Sequence, residues 1–140
     1  MTQTLLFACD LSAENRAAFA RALRLASEQG ARLDVIHVLD PYLPHRVLRD
    51  LEEAVVADMQ ATLTDVREDY ALPEPQVLLQ TVTGSPYAEI IREAHEREST
   101  ELVDLLGKVL AGSCIRLLKQ GLDRYTPPDR KSGSAGMPRP

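Results

Sequence analysis

The stretch LLFACDLSAENRAAFA, residues 5–20, decides the fold, because an apolar run stops at an aspartate and a helix signal follows at once. Residues 5–9 are apolar without interruption, as in a strand that is buried on both faces of a parallel sheet. Ser12 is a good helix N-cap, and small and apolar side chains recur at helical spacing over residues 13–29. We therefore predict a strand, a junction at Asp10 and a helix.

The same alternation continues along the chain. A second apolar strand spans residues 33–40, a long amphipathic helix spans 44–71, and a third strand spans 77–82. Ser85 and Pro86 suit the cap and first position of a further helix. Strands and helices that alternate through short links predict an open, mostly parallel α/β sheet with right-handed crossovers and helices on both faces, a Rossmann-like architecture.

Length and composition limit the class of protein. The chain has 140 residues, enough for one domain with its own core, and 44% hydrophobic and 26% charged residues are typical of a globular protein. The net charge of −5 argues against a nucleic-acid partner. No uncharged apolar run approaches the ~20 residues that span a bilayer, and the MTQT opening lacks the charged region of a signal peptide. We expect no membrane association and a cytoplasmic location.

Scattered cysteines and histidines argue against a metal site or a nucleophilic enzyme. Cys9 and Cys114 are far apart and fit no metal or redox spacing, which predicts free thiols. His37, His45 and His95 are equally dispersed. No nucleophile can be matched with a base from spacing, so we predict no catalytic residue and no metal.

Asp10 is the first candidate for a functional residue. In open α/β sheets, ligands bind beyond the carboxyl ends of the strands, at the point where strand order reverses. A carboxylate there can accept hydrogen bonds from a ribose hydroxyl or an exocyclic amine, bind a metal, or accept a phosphoryl group. The alternative is structural, because Asp10 and Ser12 together could cap the first helix.

Two segments resemble the universal stress protein family. LLFACDLSAENRAAFARALRLASEQGARLDVIHVLD (5–40) contains the family's strand ending in aspartate, its alanine- and leucine-rich helix and its LxLxHV-like second strand, and GSPYAEIIREAHE (84–96) is similar to its GxP turn and helix. The resemblance covers residues 3 to about 99. It implies a universal stress protein fold and a usual dimer.

The resemblance also implies a nucleotide site. In nucleotide-binding members the aspartate after the first strand contacts adenosine, which corresponds to Asp10, and backbone near the end of the second strand contacts the base, which corresponds to Val38. Cys9 and Leu11 would line the same mouth. The implied ligand is ATP or AMP, and we expect any binding to be weak for the following reason.

The chain departs from the family where phosphates should bind. The family has a fourth strand and then a long glycine motif that closes on Gly and Ser or Thr, whereas this chain reads ELVDLLGKVLAGS over residues 101–113. The fourth strand could end on Gly107, with Gly112 and Ser113 as the closing pair, but the GxxG half is then missing. Alternatively, LLGKV opens the last helix and the fourth strand is absent. Beyond Lys119 no apolar run could form the family's last strand.

Charge changes near the same point. Residues 1–107 contain nine basic residues, all arginine, and 19 acidic residues, whereas residues 108–140 contain seven basic residues, two acidic residues and all three lysines. We predict a domain over residues 1–120 and a disordered tail over 121–140. Either the natural end is divergent, or the reading frame shifts after about residue 103, and we favour the shift.

Three functions follow as hypotheses. The first is a dimeric stress-response binding or regulatory protein, similar to the universal stress protein A branch that lacks the glycine motif, with adenine-nucleotide binding weakened or lost. The second is an ATP-binding member with slow hydrolysis, in which Gly107, Gly112 and Ser113, aided by Lys108, hold the phosphates. The third, a response-regulator receiver, needs a second acid after the first strand and a phosphoacceptor after the third, and VTGSP (82–86) supplies no acid.

Overall fold

Strands and helices alternate along the chain as the sequence predicts. A computed structural model describes residues 3–10, 15–68, 75–104 and 108–125. It contains strands β1 (Thr4–Ala8), β2 (Arg32–Leu39), β3 (Val77–Thr83), β4 (Glu101–Val103) and β5 (Val109–Ala111), and helices α1 (Asn15–Gln29), α2 (His45–Glu68), α3 (Pro86–Glu96) and α4 (Gly112–Tyr125). This confirms the predicted α/β class.

The strands form one sheet in the order β3-β2-β1-β4-β5. β1 pairs in parallel with both β2 and β4, β2 pairs in parallel with β3, and β5 runs antiparallel to β4. The chain therefore steps outward from β1 to β3 and then crosses back to the other side of β1. Because right-handed crossovers in opposite directions lie on opposite faces, α1 and α2 cover one face, and α3 and α4 cover the other.

β1 is the centre of both cores. Leu5 and Phe7 contact the α1–α2 side, where the Phe7 ring meets the edge of Phe19 at a centroid distance of 5.2 Å. Leu6 and Ala8 face the α3–α4 side. All four side chains are at most 1% exposed, which confirms that the apolar run is a strand buried on both faces.

The C-terminal part differs from both predicted alignments. β4 is present, so the alignment that removes the fourth strand is wrong, but β4 ends at Val103 rather than at Gly107. Asp104 follows the last residue of β4, and its Oδ1 accepts a hydrogen bond from the Lys108 backbone N–H (2.8 Å). The Asp104 N–H donates to the Lys108 carbonyl (2.8 Å), so the chain reverses here and forms β5.

The last described helix also changes the predicted boundaries. No strand follows α4 within the described residues, and the fifth place in the sheet is taken by β5, which precedes α4. α4 continues to Tyr125, past the predicted domain boundary at residue 120. The rest of the predicted tail, residues 126–140, lies outside the described residues, so its disorder stays a prediction.

One buried charge lies inside the α3–α4 side. Asp34 of β2 is 0% exposed and receives two hydrogen bonds from Arg32, through Nε (2.7 Å) and Nη2 (2.9 Å). Arg97, just after α3, donates from Nε to Asp34 Oδ2 (2.9 Å) and also contacts Glu93 and Gln80. These bonds satisfy a carboxylate that would otherwise be too costly to bury.

Removing this carboxylate is expected to destabilise the fold. For Asp34→Ala we expect a loss of about 3 kcal/mol in the free energy of unfolding, at the low end for a broken buried pair, because Arg97 keeps Glu93 and Gln80 and Arg32 can reach solvent. The control is Asp65→Ala, which breaks the exposed pair with Arg16 and should cost less than about 1 kcal/mol. Urea unfolding measures both. Equal losses would contradict a structural role for Asp34.

Candidate functional site

The carboxyl ends of β1 and β4 lie side by side at the point where strand order reverses. Cys9 and Asp10 follow β1, while Asp104 follows β4 and Lys108 precedes β5. In open α/β sheets this crevice is the usual ligand site. The candidate site therefore lies at this edge, which we call the carboxyl edge.

Cys9 is fixed by contacts to β2. Its N–H donates to the Ile36 carbonyl (2.8 Å), and the His37 Nδ1 atom lies 2.9 Å from the Cys9 carbonyl oxygen. Since a carbonyl only accepts, this contact is a hydrogen bond when His37 carries its proton on Nδ1. The Cys9 Sγ donates to the Asp10 carbonyl (3.3 Å). Both backbone groups of Cys9 are thus contacted by residues of β2.

The Cys9 thiol is not activated. It is 2% exposed, and burial is the main cause that raises its pKa to about 12, with further increases from the charges of Asp10 and Asp58 and an opposing hydrogen bond to Asn15. Because only a thiolate is a good nucleophile, Cys9 acts at neutral pH as a small buried wall of the site.

Asp10 is half-buried, and its N–H donates to Oδ1 of Asn15 (3.2 Å). Asn15 is the first described residue of α1 and is only 5% exposed. Its side chain therefore ties the start of α1 to the end of β1. The predicted cap Ser12 and the predicted site residue Leu11 lie outside the described residues.

Val38 approaches the same edge from β2. The bond from the Cys9 N–H to Ile36 shows that even-numbered residues of β2 direct their backbone groups toward β1. Val38 lies two residues further along, so its N–H and carbonyl point toward Cys9 and Asp10. Its side chain is half-buried against the α3–α4 core. The structure therefore brings Cys9, Asp10 and Val38 together at the carboxyl edge.

Gly112 and Ser113 lie at the opposite edge. Ala111 is level with Glu101, which is level with Leu5 near the start of β1, and the Gly112 N–H donates to the Thr100 carbonyl (2.9 Å). Asp10 lies five positions beyond Leu5, a distance of about 16 Å along the sheet at the rise of an extended chain. These two residues and the N-terminus of α4 are thus far from Asp10. Gly107 lies outside the described residues.

Sequence reasoning missed two residues of this edge. No sequence signal singles out Asn15, because its position, five residues after Asp10, fits an ordinary first turn of a helix. Asp104 stands directly after a short apolar run, which is the same sequence signal that points to Asp10.

The described residues contain no group of three or more His, Cys, Asp or Glu side chains that could hold a metal ion. In the part of the chain that the structure describes, no helix is both long and apolar enough to span a membrane.

The model of one known protein family matches most of the chain. The model of the "Universal stress protein family" matches residues 1–103, a match that ends with β4. No curated protein matches the chain.

Three solved structures have similar folds. One is described as a universal stress protein in complex with cAMP (TM-score 0.57, 18% identity, covering 72% of this chain and 70% of that one). The second is the universal stress protein UspA from Lactobacillus plantarum, with a TM-score of 0.56 and 24% identity, covering 73% of this chain and 75% of that one. The third is a protein from the universal stress protein family from Burkholderia pseudomallei, with a TM-score of 0.55 and 23% identity, covering 87% of this chain and 90% of that one. At these identities the likeness shows the fold.

The raised pKa of Cys9 predicts a loss of stability in alkali. Between pH 9 and 12 the unfolded chain ionises this thiol while the folded chain keeps it protonated, so stability falls as pH rises. From pH 8 to pH 10 the unfolding free energy of the wild type should fall by about 1 kcal/mol more than that of Cys9→Ala.

Urea unfolding at the two pH values measures this difference. The control is Cys114→Ala, which removes the exposed cysteine and should retain the wild-type pH dependence. If Cys9→Ala loses as much stability in alkali as the wild type, the thiol is not held protonated by the fold.

Proposed function

Because the chain belongs to the universal stress protein family, we propose that it is a stress-response binding or regulatory protein in which adenine-nucleotide binding is weakened or lost. The observation that carries this proposal is the separation of the predicted site residues. Cys9, Asp10 and Val38 share the carboxyl edge, whereas Gly112 and Ser113 start α4 at the other edge.

The adenosine half of a nucleotide site is retained in this proposal. Asp10 supplies a carboxylate beside the reversal of strand order, and the backbone groups of Val38 supply a donor and an acceptor for a base. Asn15 and His37 hold this backbone in place. Adenosine could use these groups without any contact to phosphate.

The phosphate half is weakened. A helix N-terminus binds anions through its free N–H groups and its dipole, and this effect is confined to the first turn. With the α4 N-terminus about 16 Å from Asp10 along the sheet, its N–H groups cannot serve a phosphate attached to an adenosine at Asp10. The α4 N-terminus lies far from Asp10 because the chain reverses between Asp104 and Lys108.

One observation favours the alternative, an ATP-binding protein with slow hydrolysis. Lys108 lies at the carboxyl edge beside Gly107, so its ammonium group could pair with a phosphate there. The structural neighbour described with cAMP makes an adenine nucleotide the ligand class to test first. ATP or AMP would then bind through Asp10 and Lys108.

We further propose that the protein is a cytoplasmic homodimer without catalytic activity of its own, and that it binds neither nucleic acid nor membrane. The net charge of −5 supports the absence of a nucleic-acid partner. The usual dimerisation implied by the family supports the homodimer.

Calorimetric titration with ATP and adenosine tests the proposed function. We expect ATP to bind no better than adenosine, both with dissociation constants on the order of 100 μM or weaker, equivalent to about −5.5 kcal/mol. Asp10→Ala should abolish the remaining affinity. If Asp10 also caps α1, the same variant should lose roughly 0.5–2 kcal/mol of stability without ligand.

Two variants separate the hypotheses. Ser113→Ala changes an exposed residue at the far edge and should leave both affinities unchanged. Lys108→Ala should also leave them unchanged, whereas the alternative requires it to weaken ATP selectively. Low-micromolar ATP binding, much tighter than that of adenosine, would contradict the proposed function.

A further inference from the structure

The sheet ends in two unequal strands. β3 forms one end, and among the described residues it pairs only with β2, along the whole of Val77–Thr83. The other end, β5, is only the three residues Val109–Ala111. A long edge strand presents a row of unpaired N–H and carbonyl groups that another chain can use.

Hydrogen bonds to β2 reveal which groups of β3 face outward. The Leu33 N–H donates to the Gln76 carbonyl (2.8 Å), and the Gly84 N–H donates to the Leu39 carbonyl (3.0 Å). In a parallel pair this makes alternate residues of β3 bond to β2. The others direct both backbone groups to the open edge: Val77, Leu79, Thr81 and Thr83.

The side chains of β3 do not guard its open edge against pairing with another strand. The strand reads VLLQTVT, with no charge and no proline, the two devices that most often guard an edge. Leu78 is 42% exposed although it is apolar, while Val82 packs partly buried against the α3–α4 core.

A second copy of the same strand complements this edge. In an antiparallel pair centred on Gln80, Leu79 lies opposite Thr81 of the second copy and Val77 lies opposite Thr83, so every outward backbone group finds a partner. Leu78 then lies opposite Val82 and loses its exposure to water. The apolar cross-strand pair and the complete set of bonds both occur in this one register.

On the α3–α4 side of the sheet, the charged side chains near the centre of that pair balance one another. Gln80 contacts Arg97, which also pairs with Asp34 and Glu93. With Arg32, this makes two positive and two negative groups close together. Two such clusters can approach across a two-fold axis without net repulsion.

We propose that the β3 edge is the self-association surface of this protein, and that two copies pair β3 with β3, antiparallel about Gln80, into one continuous sheet. This inference specifies the homodimer proposed above and depends on it. The β5 edge is a poorer surface, because only Val109 and Ala111 direct backbone groups outward there.

Disulfide trapping tests the register directly. Across the axis the two Gln80 residues form a non-hydrogen-bonded pair with a Cα separation of about 4.5 Å, which a disulfide can span. The two Leu78 residues are displaced by four residues along the strand, about 14 Å, which it cannot span. In a Cys114→Ser background, Gln80→Cys should form covalent dimers with oxidised glutathione at least about tenfold faster than Leu78→Cys.

Proline substitution provides the second measurement. Thr81→Pro removes an outward N–H without touching the bonds to β2, as edge strands tolerate, and should weaken dimerisation at least about tenfold. The matched control is Ala111→Pro, which does the same at the β5 edge and should leave the dimer intact. Sedimentation velocity measures dimerisation, and circular dichroism confirms that each variant is folded.

The outcomes distinguish a wrong interface from the absence of a homodimer. A wild type that sediments as a monomer at the highest accessible concentration overturns both. A dimer that is lost in Ala111→Pro but kept in Thr81→Pro overturns the β3 edge alone, as does equal trapping of Leu78→Cys and Gln80→Cys. If Thr81→Pro does not fold, the trapping rates still decide between these outcomes.

Discussion

Two hydrogen bonds between Asp104 and Lys108 determine how the C-terminal third is arranged. They end β4 after three residues and turn the chain back along it as β5. A parallel fifth strand would require a crossover helix before it, whereas an antiparallel strand needs only a short turn. The reversal therefore completes the sheet beside β4 with very few residues. It brings the chain to the edge opposite the carboxyl edge, which we call the amino edge, before α4 begins.

The position of α4 has a chemical consequence. In a strand–helix unit that continues from β4 at the carboxyl edge, the helix N-terminus would face the crevice beside Asp10. Here α4 starts at the amino edge, close to Thr100. The anion-binding property of that helix end is thus separated from Cys9, Asp10 and Val38, which we propose bind the neutral part of a nucleotide.

In β1 and β2, buried side chains depend on the groups that cover or pair with them. β1 can be apolar on both faces because helices cover both, and Asp34 can be buried in β2 because two arginines neutralise it. The same arginine network reaches Gln80 on β3. The inner strands are therefore paired on both sides, whereas β3 pairs only with β2 among the described residues.

The sequence by itself determined β1 to α3 and the class of the sheet, because apolar runs and helical periodicity report burial directly, residue by residue. It also brought Cys9, Asp10 and Val38 to one edge, since parallel strands end together. Only the tertiary structure decided where Gly112 and Ser113 lie, and that Asn15 and Asp104 belong to the carboxyl edge. The direction of β5 depends on hydrogen bonds between Asp104 and Lys108, and a three-residue apolar strand reads the same whether it runs parallel or antiparallel to its neighbour.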